Sequence, residues 1–350
     1  MNGDFLVLLD DFEKEKGISK NILIEALEAA LVSAYKRNYG SNNDVRVEIN
    51  RQNGGVRIFL QKKVVETVEN EKSQISLIDA KKVNQVYEIG DIVEEETVPK
   101  TFSRIAAQTA RQVVTQRIRE AERGIIYNEY ADKANNIITG MVQRIEKRNV
   151  MIDIGKIEVM LLPQEQVSTE VFQQGQRVKI YVVEVQNTTK GPQILISRTH
   201  PGLVRKLFEL EVPEIKNGTV EIRGIAREAG SRTKISVSSN DPNVDPIGAC
   251  VGHKGMRVQK VIDELKGEKL DIIKYSDNVV EYIAAALAPA NVLSAALNEK
   301  EKVCTVEVAG HQLSLAIGKE GQNARLAAKL TGWKIDILKK EIPQEENAQA

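Results

Sequence analysis

Two short loops framed by glycine carry the most chemistry in this sequence. Gly252-His253-Lys254-Gly255 and Gly318-Lys319-Glu320-Gly321 each lie between stretches with helical spacing. Glycine lets the backbone turn sharply and leaves no Cβ to keep a phosphodiester at a distance. A helix that begins right after such a turn aims free N–H groups and its positive dipole end at the same place. Lys254 and Lys319 add charge, and Arg257, Lys260 and Arg325 follow on the next helical stretch. That chemistry is capture of a nucleic-acid backbone, with no bond made or broken. Most single loops of this kind are only turns or caps, so the pair carries the argument. Glu320 opposes phosphate, and the second loop is expected to act through its amides and Lys319.

The loops sit in an internal repeat. One copy reads Ile247-Gly248-Ala249-Cys250-Val251-Gly252-His253-Lys254-Gly255, then a helical run, Gly267 and Lys269-Leu270-Asp271-Ile272-Ile273-Lys274. The other reads Leu313-Ser314-Leu315-Ala316-Ile317-Gly318-Lys319-Glu320-Gly321, a helical run, Gly332 and Lys334-Ile335-Asp336-Ile337-Leu338-Lys339. Chance does not set both strings at near-equal offsets. Each copy predicts helix, strand, strand, helix, loop, helix, strand. The leading helices fall at 203–211 and 279–287, and the first strand pair at 219–225 and 233–238. Asp245-Pro246 supplies an N-cap and a proline at the first helical position. This is the order of a type II KH domain, whose apolar groove and strand edge hold about four nucleotides.

Upstream, five β runs at 137–145, 150–154, 157–162, 177–185 and 193–197 predict a small five-stranded β-barrel of the OB type. OB folds usually stack bases on exposed aromatics, and this stretch offers only Phe172 and Tyr181. Arg144, Lys147 and Arg148 remain as phosphate contacts; otherwise the barrel is a spacer. The first segment reads as α+β. Gly17 ends a short opening helix and Ser19 caps the next, which runs to Gly40 with Ile22, Leu23, Ala26, Leu27, Ala30, Leu31 and Ala34 on one face. Strands at 45–49 and 56–60 flank the turn Asn53-Gly54-Gly55. A long amphipathic helix over 101–123 buries Phe102, Ile105, Ala106, Thr109 and Val113. Arg104 and Arg111 share its opposite side. They form either a solvated face or, with Lys36 and Arg37, a phosphate-facing patch.

Composition limits the remaining options. The 350 residues are 42% hydrophobic and 28% charged, which fits several globular domains. Lys+Arg and Asp+Glu are equal at 49 each, so binding must rest on local patches. No export signal and no run of about 18 apolar residues is apparent, which predicts a cytoplasmic protein without membrane contact. Gly224 to Gly230 is no P-loop. Cys250, His253, Cys304 and His311 fall on unrelated elements, so buried thiols are expected rather than a metal site. With three histidines and no visible active site, the sequence predicts neither an enzyme nor a cofactor.

The whole order resembles the bacterial NusA family. Val244-Asp245-Pro246-Ile247-Gly248-Ala249-Cys250-Val251-Gly252 and Ala316-Ile317-Gly318-Lys319-Glu320-Gly321-Gln322-Asn323-Ala324-Arg325-Leu326-Ala327 look like its most distinctive strings. The resemblance implies an N-terminal polymerase-binding α+β domain over 1–134 and an OB barrel of the ribosomal-protein type over 135–200. KH domains over 201–276 and 277–343 and a disordered tail over 344–350 would follow. It further implies docking on RNA polymerase near the RNA exit channel, with Lys36, Arg37, Arg104 and Arg111 against the emerging hairpin. The barrel and KH modules would hold nascent single-stranded RNA, altering pausing, intrinsic termination and antitermination. Other antitermination factors would join as partners of a monomer. Some relatives add acidic C-terminal repeats that mask the RNA surface; a chain stopping after its second KH module is expected to lack that autoinhibition. Two alternatives stay open: a KH-containing ribosomal or translational RNA-binding protein, and an accessory part of an RNA-degrading enzyme.

Overall fold

The computed structural model describes residues 10, 13–14, 19–40, 44–97, 102–189 and 191–340. Of the expected opening helix, Asp10, Glu13 and Lys14 are described and helical; Gly17 and the tail beyond Lys340 lie outside the described residues. The fold is α+β and multidomain, in two compact units divided between Ile126 and Tyr127. Among the described residues no helix is long and apolar enough to cross a membrane.

In the first unit, helix α1 (Lys20–Tyr39) lays Leu23, Ile24, Leu27, Leu31 and Tyr35 on Val45, Val47 and Ile49 of strand β1 (Asp44–Ile49) and Ile58 of β2 (Val56–Val65). Ser19 takes the N-cap position as expected, its carbonyl accepting from the Leu23 amide at 3.2 Å, but its side chain makes no capping bond. The Glu13 carboxylate accepts from the Lys20 amide at 3.3 Å instead. Strand β3 (Gln74–Ser76), helix α2 (Leu77–Val83) and strand β4 (Ile92–Thr97) complete the sheet region. These elements are too short to give a strong periodic signal in the sequence. Helix α3 (Phe102–Ala131) buries Phe102, Ala106 and Ala110 in the same core. It runs eight residues past the predicted end at Arg123. A tertiary contact explains the extension: buried Tyr130 donates from its hydroxyl to the Ile154 carbonyl at 2.7 Å.

In the second unit, β5 (Ile137–Glu146), β6 (Asn149–Asp153), β7 (Glu158–Leu161), β8 (Arg177–Thr188) and β9 (Gly191–Ser197) pair antiparallel in the order β7-β6-β5-β8-β9. The outer strands β7 and β9 line one cleft, so the sheet curls into a nearly closed barrel. Helices α4 (Pro201–Glu211) and α5 (Pro213–Lys216) lead into the first KH module, with β10 (Val220–Glu228), β11 (Arg232–Ser239), α6 (Pro246–Val251), α7 (Met256–Glu264) and β12 (Lys269–Lys274). The second module follows as α8 (Val279–Ala286), β13 (Val292–Asn298), β14 (Val303–Ala309), α9 (Leu313–Ile317), α10 (Gln322–Thr331) and β15 (Lys334–Lys340). In each module the first two strands are antiparallel and the last joins parallel to the middle one. The Asp245 cap forms as expected, its carboxylate accepting from the amides of Ile247 and Gly248.

Buried charge joins these three parts. Arg198, 1% exposed, donates to Glu170 and to the Lys179 carbonyl (2.7 Å) of the barrel, and to the Glu264 carbonyl (2.9 Å) closing α7. Arg227 pairs with fully buried Glu268 at 2.9 Å and donates to the carbonyls of Arg198 (2.8 Å) and His200 (3.0 Å). Lys234, with no exposed surface, donates to Asp271 (2.9 Å) and to the Ala288 carbonyl (2.7 Å) of the second module. A buried charge is tolerable only when fully paired and hydrogen-bonded. Removing one partner typically costs about 3–5 kcal/mol. Arg227→Ala is therefore expected to lower the stability of the second unit by about that amount in urea unfolding. A loss under about 1 kcal/mol, the value of a surface pair, would contradict this role.

Candidate nucleic-acid interface

The two glycine-framed loops have the same backbone. Gly252 lies at φ 73°, ψ 177° and Gly318 at φ 75°, ψ 173°, a region that only glycine enters without strain. The third loop residue is left-handed in both, Lys254 at φ 50° and Glu320 at φ 53°. The closing glycines, Gly255 and Gly321, sit at φ 76° and 73° and start α7 and α10. Non-glycine residues in that region cost about 1–2 kcal/mol, so both exposed side chains are held at the loop tips against backbone preference.

Close packing leaves no space at the opening glycines. A Cβ on Gly252 would lie 2.6 Å from Arg257 Cγ, and one on Gly318 would lie 2.8 Å from the Asn323 backbone nitrogen. Arg257 and Asn323 each follow the opening glycine by five residues, and both brace the loop. Arg257 donates to the Ala249 carbonyl at 2.7 Å and to Glu214 at 2.8 Å. Buried Asn323 donates to the carbonyls of Ala316 (3.0 Å) and Leu287 (2.9 Å).

The predicted cations divide accordingly. His253, Lys254 and Lys319 are exposed, and among the described residues Lys254 and Lys319 have no ion-pair partner. Arg257 is occupied with Glu214, Lys260 pairs with Glu211 at 3.0 Å, and Arg325 pairs with Glu228 at 2.7 Å. Exposed Met256, Leu315 and Ile317 put apolar surface beside the loops. Strands β12 and β15 each have one partner strand, so each keeps an open edge. Apolar surface, a free strand edge and a glycine-opened turn together can hold bases and a phosphate backbone.

In the barrel, Tyr181 is 6% exposed, stacks on His200 at 4.7 Å and hydrogen-bonds Asn135, so it offers no platform for bases. Phe172 is half-buried. Arg144 is taken by Glu146 and Glu158. Exposed Lys147 and Arg148 turn the β5–β6 hairpin at φ 48° and 74°. In the first unit, the Tyr35 and Phe102 rings meet at 5.6 Å, which brings the end of α1 to the start of α3. Arg37 and Arg104 are exposed near that junction, and Arg111 is exposed further along α3. Lys36 is half-buried and reaches Asp44 at 3.4 Å.

Both cysteines are buried thiols. Burial pushes the Cys250 thiol up to about 12 and raises Cys304 in the same direction. Among the described residues no cluster of three or more His, Cys, Asp or Glu side chains could hold a metal. Sequence reasoning missed Gln322, which bonds Glu228 and Ser231 across the two modules. No local signal points to a contact between residues so far apart in the chain.

A barrel followed by two phosphate-loop modules defines an RNA-binding protein. Residues 131–197 match the S1 RNA binding domain, 198–275 the NusA-like first KH domain, 279–345 the NusA-like second KH domain, and 4–124 the NusA N-terminal domain. The chain is 57% identical to the transcription termination/antitermination protein NusA of Halalkalibacterium halodurans, over 99% of this chain and 90% of that protein. It is 56% identical to the protein of that name from Bacillus subtilis, over 96% and 91%, and 42% identical to that of Thermus thermophilus, over 99% and 93%. The chain belongs to the NusA family and is an RNA-binding transcription factor.

The loop geometry sets a clear expectation for stability. Gly318→Ala combines a disfavoured φ with a backbone clash and is expected to cost roughly 1–3 kcal/mol in chemical unfolding. Gly332→Ala, at a left-handed cap with open space around it, is expected to cost less. Equal losses at the two positions would mean that the contact with Asn323 is unimportant.

Proposed function

We propose that this chain docks on RNA polymerase through its first unit and holds nascent single-stranded RNA on its second. In doing so it modulates pausing, intrinsic termination and antitermination. The observation that carries this reading is the pair of loops with matching torsions in one compact unit. RNA would lie against Gly252, His253, Lys254 and Gly255 in the first module, and against Gly318, Lys319, Glu320 and Gly321 in the second. Lys36, Arg37, Arg104 and Arg111 would meet an RNA hairpin; the exposure of Arg37, Arg104 and Arg111 and the α1–α3 junction support that assignment, while half-buried Lys36 would first leave Asp44. Arg257 serves the loop as a brace, while Lys260 and Arg325 would reach phosphate only by leaving their carboxylates. The domain limits we assign are 1–134, 135–200, 201–276 and 277–343.

The mechanism is tethering. Each loop contact is modest, and contacts made by one chain reinforce one another through effective concentration. Polymerase contact would raise the local concentration of emerging RNA further. The protein would act in the cytoplasm as a monomer, without chemistry on the RNA and without a cofactor.

Stepwise transcription with purified RNA polymerase tests this reading. The wild type is expected to change dwell time at a hairpin pause, and Arg104→Ala/Arg111→Ala to lose most of that change. Lys254→Asp/Lys319→Asp is expected to weaken RNA binding and flatten its salt dependence, by a log–log slope of about 0.7 for each single-strand phosphate no longer neutralised. Unchanged pausing by a chain that still binds RNA would refute the polymerase reading and favour a translational role.

A further inference from the structure

Glu228, the last residue of β10 in the first KH module, reaches the loop of the second. Its carboxylate accepts from Arg325 Nε at 2.7 Å and Nη2 at 3.3 Å, and from Gln322 Nε2 at 2.8 Å. Gln322 Nε2 also donates to Ser231 Oγ at 2.7 Å. Arg325 Nη1 donates to the Glu320 carbonyl, inside the loop itself, at 2.9 Å. An arginine fork beside an amide donor is a donor set suited to a phosphodiester. Here a carboxylate of the neighbouring module fills it. The hydrogen bond from Arg325 holds the Glu228 carboxyl below the usual carboxylate range, so this occupant is an anion at neutral pH.

The arrangement belongs to the second loop alone. Arg325 follows its opening glycine by seven residues, and the residue at that place after the first loop is Gln259. Gln259 bonds Asp263 within its own helix, at 2.8 Å. The Arg325–Glu228 pair is also unlike the buried pairs that join the modules. Its side chains are 48% and 23% exposed, so water and ions reach it and its partners can exchange.

We propose that Arg325, Gln322 and Ser231 form a phosphate subsite shared by the two KH modules, in which Glu228 stands in for a phosphate of single-stranded RNA and gives way when RNA occupies the second loop. The proposal rests on the RNA-binding reading above. It explains how a loop carrying Glu320 can hold RNA: a second cation beside Lys319 is released as RNA arrives. It also makes occupancy of the second loop sensitive to a side chain of the first module.

The test is fluorescence anisotropy with the full chain and a labelled single-stranded RNA of roughly 12 nucleotides, three KH footprints, across a salt series. Glu228→Gln keeps the side-chain shape and removes the competing charge. It is expected to tighten binding about two- to fivefold, the scale of a partly exposed ion pair, and to steepen the log–log salt slope by about 0.7. Arg325→Gln is expected to weaken binding and flatten the slope, and Glu228→Gln should then have no further effect in that background. Glu299→Gln, an exposed acid on the β13–β14 turn, controls for simple loss of charge and should change affinity much less. If Arg325→Gln does not fold, Arg325→Met serves in its place and should likewise abolish the response to Glu228→Gln. Weaker binding by Glu228→Gln would make the pair a brace and overturn the proposal. The same gain in the Arg325→Gln background would overturn it as well. A wild type that does not bind RNA at all would remove the RNA-binding reading itself, whereas a wild type that binds but ignores Glu228→Gln overturns only this inference.

Discussion

Desolvated charge governs the second unit. The side chains of Arg198, Arg227 and Lys234 have almost no contact with water, and each completes its hydrogen bonds only with groups from another part of the chain. An arginine cannot shed its proton to escape burial. The carbonyls of Lys179, Glu264, Arg198 and His200 must therefore stay where the two arginines need them. The network is unforgiving of small shifts, because a half-satisfied buried charge costs more than an apolar contact. With the Tyr282–Ser236 hydrogen bond between the modules at 2.9 Å, it holds the two loops in one compact unit.

The duplication has kept the backbone and changed the side chains. Both loops use the same left-handed torsions, yet the bracing position is Arg257 in one copy and Asn323 in the other, with the same kind of carbonyl as target. The loop tip carries Lys254 in one and Glu320 in the other. In the strands, Asp271 lies beside Lys234 in register, while its counterpart Asp336 lies beside Thr305. Lys234 uses its place in that strand to reach the Ala288 carbonyl of the following module. Divergence thus touches the loop tip, its brace and the seam between modules, where Lys234 and the Glu228–Arg325 pair lie.

Periodicity and glycine placement make most of this architecture legible. The five barrel strands, both KH copies and the Asp245 cap lie within a few residues of where alternation and turn chemistry put them, since those signals are local. At the start of α1, Ser19 holds the N-cap position without a side-chain bond, and Glu13 accepts from the Lys20 amide, a contact that the local pattern does not signal. The end of α3 departs from that pattern because Tyr130 is anchored by a tertiary bond. Charge is the least legible property. Arg257, Lys260 and Arg325 look like equal phosphate contacts in the sequence, and only the fold reveals that each already has a carboxylate partner. Pairing between residues 43 to 97 positions apart leaves no trace in composition or period.

Two loops in fixed relation, on this reading, hold one RNA strand. Affinity for single-stranded RNA as a function of length tests it most directly, at constant salt and with oligonucleotides from about 4 nucleotides upward. A step in affinity is expected at the length that first spans both loops, because the second contact then becomes intramolecular. Lys254→Asp or Lys319→Asp alone should remove that step while leaving the short-RNA affinity of the other loop. A smooth rise with length, unchanged by either substitution, would contradict the account and leave only a diffuse electrostatic surface.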